Sequence, residues 1–485
     1  MSNVLKALAR GGAVGDYEIS RSLRFNSADS AYLARTPASA GNRKTWTWSG
    51  WVKSSNDSGT QTLFAAGVSG AGPIYFFFNS GALRLRDFST GSGVNIFITN
   101  AVYRDPSAWY HIVLAIDTTD GTPANRQKLY VNGTQVTSFS SETNFPLDQL
   151  TAINNNVSHL IGSWIDPLNP FLLNGYMADI NFVDGAALTP SSFGEVNEIT
   201  GVWTPIRFAG PWNVDTGVNG FHLEFADNSD VTATTLGKDT SGNGNNWTPS
   251  GSPGFSVTAG AGNDSLVDSP TRYGTDTGAG GEVRGNYCTL NPLSSRTGAG
   301  TVLSNGNLSQ NGSSDKIFTG TIASKGGKFY YEYVVEGTSG YPTIGLANTD
   351  TYDMATGPGE TSDSWAIWLQ TGDVRNNAST AYSLGGFSTT NILQVAWDVD
   401  AGKVWFGKNN TWGNSGNPAT GTNPAFTNLS AKNIAPVIKQ YAAGSFNFGQ
   451  RPFAYTAPSG FKALVTTNLP EPTVVQGEGA LSEIE

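Results

Sequence analysis

At 485 residues the chain is too long for one ordinary hydrophobic core, so two or three domains are expected. Only 14% of residues are charged, 11% are aromatic and 59 are glycine, which excludes an intrinsically disordered chain. A net charge of −10 argues against a nucleic-acid partner, and the single cysteine, Cys288, excludes an internal disulfide framework or a cysteine-rich zinc site.

In chain order, residues 1–20 come first. The spacing of Val4, Leu5 and Leu8 gives one or two turns of amphipathic helix. Lys6 and Arg10 break the apolar stretch, so it does not read as a signal peptide. We read it as an N-terminal attachment segment. No run of eighteen apolar residues occurs, so no membrane insertion is expected.

Residues 21–225 read strand, turn, strand, with runs such as WTWSGWVKS, IYFFFNSGALRLRDF, WYHIVLAID, KLYVNGTQV and YMADINFVDG. Many short strands without helical periodicity predict an all-β antiparallel sandwich. Alternation in WTWSGWV puts Trp46, Trp48, Gly50 and Val52 on one face and Trp51 on the other, so Trp51 is a candidate to line a sheet surface. His111, His159 and His222 each sit in an apolar run and read as structural histidines. SLRFNSADSAYL, WTWSGWVK, WYHIVLAID with KLYVNGTQV, and NGYMADINFVDGAAL resemble, in order and spacing, a laminin-G-like, concanavalin-type jelly roll. That resemblance implies two packed antiparallel sheets, with calcium and glycan sites on rim loops.

Residues 226–325 are dense in Gly, Ser, Thr and Asn and read as a connector that wraps over its neighbours. Within it, DTSGNGNN sets Asp239, Ser241, Asn243 and Asn245 at alternate positions around glycines, an oxygen pattern for a weak calcium loop. A Gly/Asn turn explains the same spacing.

Strands return over residues 326–455, in GGKFYYEYVVE, PTIGLANTD, SWAIWLQTGDV, ILQVAWDVDAGKVWFGKNNTW and FNFGQRPF. In that order they resemble a SPRY domain, a second antiparallel sandwich that recognises protein partners through rim loops. The hairpin from Val395 to Gly413 reads as an exposed turn, with Asp398 and Asp400 close to Lys403. Trp365, Tyr382, Asn409, Asn410 and Trp412 lie in or near polar loops and are candidate glycan or partner contacts. Residues 456–485, with four glutamates in TTNLPEPTVVQGEGALSEIE, read as an extended acidic tail.

Catalytic signals are weak. A single-strand glycosidase pair such as Glu-x-Asp-x-x-Glu does not occur, and the spacings Glu195/Glu198 and Glu224/Asp227 fall at turns or strand ends. No Gly-x-Ser-x-Gly elbow or phosphate-binding loop is found. No catalytic residue and no cofactor are therefore assigned, calcium aside.

Two sandwiches in a Gly-rich, low-cysteine, acidic chain ending in KALVTTNLPEPT resemble phage virion proteins of tail-fibre, receptor-binding or head-decorating type. The resemblance implies a non-enzymatic protein on the phage particle surface, made in the host cytoplasm. It would join other virion proteins through the N-terminal segment and bind a host-surface glycan or protein; fibres are commonly trimers, but the sequence has no heptads or β-helix repeat, and a globular attachment on a larger assembly is the equal alternative. A decoration or adaptor subunit binding only virion proteins is the alternative, and a polysaccharide depolymerase ranks third.

Overall fold

A computed structural model describes residues 17–470, apart from 57, 69–71, 90–92, 165–170, 199, 296–301, 313–315, 338–339 and 341. The expected amphipathic turns near Leu5 and residues 471–485 of the tail lie outside the described residues. The described chain is all-β: strands, turns and short 3₁₀ segments, with no α-helix among the described residues.

The first sandwich packs two sheets. Sheet one runs in the order Thr134–Gln135, Gln127–Val131, Tyr110–Asp117, Thr45–Ser54, Gly175–Asp184, Ser22–Phe25 and Ser265–Leu266, with Phe221–Leu223 also paired to Gly175–Asp184. Sheet two runs Phe139–Glu142, Val94–Val102, Ala82–Asp87, Ile74–Asn79, Thr60–Gly67, Ser158–Ile161, Tyr32–Arg35 and Thr248–Ser250. Alternation sends Trp46, Trp48 and Val52 inward against Phe64, Phe76 and Phe182.

The second sandwich has two seven-stranded sheets. One is centred on Ile434–Lys439 and Thr343–Asn348, the other on Lys328–Val335 and Ile392–Asp398. Tyr331, Trp397, Phe446 and Phe448 fill the space between them.

The segment between the sandwiches is woven into both. Thr248–Ser250 pairs with Tyr32–Arg35, and Trp247 is fully buried against Phe64 and Phe221. Ser265–Leu266 extends sheet one, while Leu290–Ser295 begins a sheet of the second sandwich. Cys288 is buried, and that burial pushes its thiol up to about 11.

The outer face of sheet one meets the second sandwich. Trp51, Trp109, Tyr176 and Ala178 belong to the same continuous apolar cluster as Tyr333, Trp397 and Phe446. Two buried ion pairs are set in this contact. Lys53 Nζ lies 2.8 Å from Asp268 Oδ2 and also donates to Asn286 Oδ1 and the Tyr287 carbonyl. Arg24 Nε lies 2.9 Å from Asp264 Oδ1, and its other nitrogens donate to the carbonyls of Asn305 and Ala261. Tyr176 donates its hydroxyl to the Gly306 carbonyl at 2.7 Å. Gly306 has φ +64°, and any side chain there would collide with that same hydroxyl.

Two local expectations are corrected. In the hairpin Val395–Gly413, Asp400 is exposed at the turn and Asp398 stands opposite Lys403, as expected, but they are not an exposed pair held by that lysine. Asp398 is buried, pairs with Lys328 at 3.1 Å and accepts the Ala401 N–H, whereas Lys403 donates to the Gly421 carbonyl. Trp365 is fully buried, with its Nε1 donating to Asn428, and is not a loop contact.

Removing one member of a buried ion pair strands the other, a loss of about 3–5 kcal/mol. Asp268→Ala should lower stability by about that amount in urea denaturation followed by tryptophan fluorescence. Replacing both partners, Lys53→Met with Asp268→Leu, should recover most of the loss, because no charge is then left unpaired.

Candidate binding surfaces

The strand Gly175–Asp184 carries a bulge: its pairing with Thr45–Ser54 jumps between Ala178 and Asn181. Met177 and Ile180 both point into the core, so Ala178 and Asp179 share the outer side between them. Asp179 has φ +51°, the left-handed region that an aspartate tolerates better than most residues. Strict alternation would have driven this carboxylate into the core.

Outside, Asp179 Oδ1 accepts the Tyr17 hydroxyl at 2.6 Å and meets His222 Nε2 at 2.6 Å. On the other edge of the ring, Nδ1 faces Thr240 Oγ1 at 3.0 Å and Glu224 Oε1 at 3.6 Å. Trp212 stacks on the imidazole with centroids 5.5 Å apart. The group opens on a cavity of about 270 Å³ lined also by Glu18, Ile19 and Arg207.

Burial alone would lower the His222 pKa. The hydrogen bond and charge of Asp179, with the charges of Glu224 and Asp239, outweigh it and raise the pKa. Hydroxyl, imidazole and carboxylate stand in relay order, but a ring held toward its charged form is a poor base for Thr240. The arrangement holds charge and offers a polar, hydrogen-bonding recess.

The other two histidines are fixed as neutral tautomers. Trp203 Nε1 donates to His111 Nδ1 at 3.0 Å, leaving Nε2 to donate to Ser49. The Asn154 N–H donates to His159 Nε2, leaving Nδ1 to donate to the Val157 carbonyl. Burial lowers both pKa values to about 4.

A second surface forms at one end of the second sandwich. Asn409 and Asn410, with φ +47° and +65°, make the tight turn between Lys403–Lys408 and Thr411–Trp412. Both are exposed, and Asn409 Oδ1 accepts the Ile392 N–H at 2.8 Å. Half-buried Trp412 lies over Gly407, and half-buried Tyr382 packs on Gly413, where a Cβ would overlap its ring. Lys408 donates to the Gly386 carbonyl and lies 4.8 Å from the Phe387 ring centroid. Four of the six expected contact residues, Tyr382, Asn409, Asn410 and Trp412, thus gather on one rim.

The other two do not join them. Trp51 is 3% exposed, stacked on His111 with centroids 5.0 Å apart and covered by the second sandwich. Trp365 lies inside the second core.

The proposed calcium loop also resolves differently. Asp239 Oδ1 accepts the N–H groups of His222 and Ser241, and Oδ2 that of Asn245. Ser241 Oγ accepts the Asn243 N–H, Asn245 Oδ1 accepts from Arg35, and both asparagine amides donate to the Gly220 carbonyl. Asp239, Ser241 and Asn245 thus each spend a side-chain oxygen on a hydrogen bond within or beside the turn. Among the described residues no trio of His, Cys, Asp or Glu is placed to hold a metal. Elsewhere on the first sandwich, Asp117 caps its own turn through Thr119, and Asp184 is fully buried, accepting four N–H groups. Asp179 lines the cavity beside Tyr17.

These histidines predict opposite pH trends. His111 and His159 refuse protons that the unfolded chain accepts near pH 6.5, so each should take away up to about 3 kcal/mol of stability as pH falls to 4. The raised His222 acts in reverse: its contribution is complete below about pH 6.5 and fades as pH rises through its folded pKa. His222→Gln should therefore cost more stability at pH 6 than at pH 9, with the charged pair worth about 3 kcal/mol where it is fully formed. Thermal melts of both proteins at the two pH values check this.

Comparison with known proteins gives each sandwich its own match. Residues 26–192 match a family model described as the concanavalin A-like lectin/glucanases superfamily, laminin-G type, and residues 328–451 match the SPRY domain model. No curated protein matches the chain. Among solved structures, the SPRY domain of human HERC1 is 15% identical, covering 34% of this chain and 99% of its own, with a TM-score of 0.28. A Bacteroides ovatus protein provisionally assigned to carbohydrate binding is 14% identical over 48% of this chain and 59% of its own, with a TM-score of 0.30. A heptameric SAP-like pentraxin from Limulus polyphemus is 17% identical over 36% and 80%, with a TM-score of 0.27. The chain therefore carries a laminin-G-like, concanavalin-type domain and a SPRY domain, both general modules for binding carbohydrate or protein partners.

Proposed function

We propose that the chain is a non-enzymatic recognition protein of a phage particle surface, of tail-fibre or receptor-binding type, that takes a host-surface glycan or protein on the rims of its sandwiches. The observation that carries the binding reading is the rim of the second sandwich. There a half-buried tyrosine and tryptophan flank an exposed Asn409–Asn410 turn, and an aromatic face beside fixed amides suits a sugar ring or a peptide. The rim is preorganised: Tyr382 and Trp412 pack on glycines, the Asn409 side chain accepts the Ile392 N–H, and the Asn410 backbone N–H donates to Gln394 Oε1. The phage placement is supported by the sequence resemblance described above, and the N-terminal segment is the proposed link to other virion proteins.

Purified full-length chain should adsorb to host cells and compete with infection, and Trp412→Ala with Asn410→Ala should weaken adsorption about tenfold while leaving the melting temperature within a few degrees. Absence of both adsorption and competition would overturn the receptor-binding reading in favour of a decoration or adaptor subunit. Sugar released from host polysaccharide by the purified chain would instead reinstate a depolymerase.

A further inference from the structure

We propose that the outer face of sheet two in the first sandwich, centred on Arg84 and Arg86, binds an acidic saccharide, with its oxyanion held by the two guanidinium groups. The strand Ala82–Asp87 alternates. Leu83 and Leu85 enter the core, which puts Arg84 and Arg86 on the outer face. The register sets Phe77 and Ile98 beside Arg84, and Tyr75 and Asn95 beside Arg86. No carboxylate stands opposite either arginine.

Each Nε is shut off from solvent and has no acceptor, and neither guanidinium has a hydrogen-bond or ion-pair partner among the described residues. The one neighbour of note is Phe88, whose ring centroid lies 4.5 Å from the Arg86 guanidinium. This contrasts with Arg24 and Lys53, buried cations on the outer face of sheet one, each of which meets a carboxylate within 3 Å, and with buried Arg126, which donates to the carbonyls of Asp120 and Phe145. In a chain of net charge −10, two adjacent cations without an anion mark a place where the anion comes from outside.

The same face carries the apolar half of a sugar site. Trp164 stacks on Tyr75 with centroids 3.4 Å apart and meets Phe77 edge-on. Phe171 packs edge-on against Trp164 at 5.1 Å and is 39% exposed. Its φ of +39° is unusual for an aromatic residue, and its carbonyl is pinned by the Thr62 N–H and hydroxyl at 3.0 and 2.9 Å. An aromatic side chain is thus held outward beside the arginine row, where a pyranose can stack while its carboxylate or sulfate reaches the guanidinium forks. A protein ligand would not need a ring platform next to paired forks, so the saccharide is favoured.

The inference rests on the recognition reading for the kind of partner, but its site is separate from the second-sandwich rim. The test is a tryptophan-fluorescence titration of the full chain, reading Trp164, with polygalacturonate, dextran sulfate and neutral dextran. Saturable binding of one or both acidic polymers, at least tenfold tighter than neutral dextran, is expected; which polymer binds tells carboxylate from sulfate. Arg84→Gln with Arg86→Gln should weaken binding at least tenfold, and the double Lys variant should fall between, since it keeps the charge and loses the fork. Lys325→Gln, which removes a cation on the second sandwich, should leave binding unchanged. No binding of either acidic polymer, or unchanged binding by a folded double Gln variant, would overturn the proposal. If cell adsorption through the other rim persists in that case, only this site is lost and the wider reading stands.

Discussion

An ammonium group stripped of water must find fixed acceptors, and Lys53 finds them only in chain more than two hundred residues downstream. Its position in the strand Thr45–Ser54 points it out of the first sandwich, at the face shared with Trp51. Asp268, Asn286 and the Tyr287 carbonyl close around it, and Trp109 and the Tyr287 N–H hold the second carboxylate oxygen. Those partners belong to the Gly- and Asn-rich segment, so satisfying one lysine obliges that segment to lie against sheet one. Once it does, the second sandwich is delivered onto the same face, and the aromatic rings there are buried, with the Trp51 Nε1 left without an acceptor. Arg24 and Asp264 repeat the device one strand away.

The same accounting explains where the molecule can still meet a partner. Sheet one is covered by the second sandwich at one end and by Phe193, Phe208 and Trp212 at the other. Between them the bulge at Asp179 leaves a polar recess, whose carboxylate and imidazole satisfy each other. That recess is self-sufficient, which is why a proton relay is a weaker reading of it than an ion pair that fixes Tyr17 and the strand Phe221–Leu223 in place.

Sequence reading went as far as local periodicity carries information. Alternation correctly separated Trp46 and Trp48 from Trp51, and the strand runs gave both sandwiches. It could not say that Trp51 would be covered, because the covering residues are far away in the chain; a face is a local property and its solvent exposure is not. Trp365 and Trp247 sit beside polar loops in the sequence, yet each is drawn into a core by its strand or by its neighbours. In DTSGNGNN the oxygens are spaced as a cation would need, but backbone N–H groups and the carbonyl of Gly220 claim the side chains first. The Asp179 site was hidden because a bulge breaks the two-residue period; the visible trace is an aspartate at a position of YMADINFV that alternation assigns to the core. Asn409, Asn410 and Trp412 were legible because a two-asparagine turn is decided by its own backbone.

An outward face becomes an internal contact when the rest of the chain supplies what its groups lack. Trp51 lacked apolar cover, Tyr176 a carbonyl for its hydroxyl, and Lys53 and Arg24 carboxylates; the downstream chain supplied all three. The face of Arg84 and Arg86 has comparable aromatic content but meets no carboxylate among the described residues, although the chain carries 38 acidic residues. Like-charged neighbours two residues apart on one strand raise the free energy of that face unless an anion is nearby. Apolar packing alone cannot offset this, since Trp164 and Phe171 cover the rings and leave the two buried Nε groups without acceptors among the described residues. The electrostatic deficit that closed sheet one from within is therefore left open on sheet two, and a ligand that brings its own negative charge is the physical complement of that face.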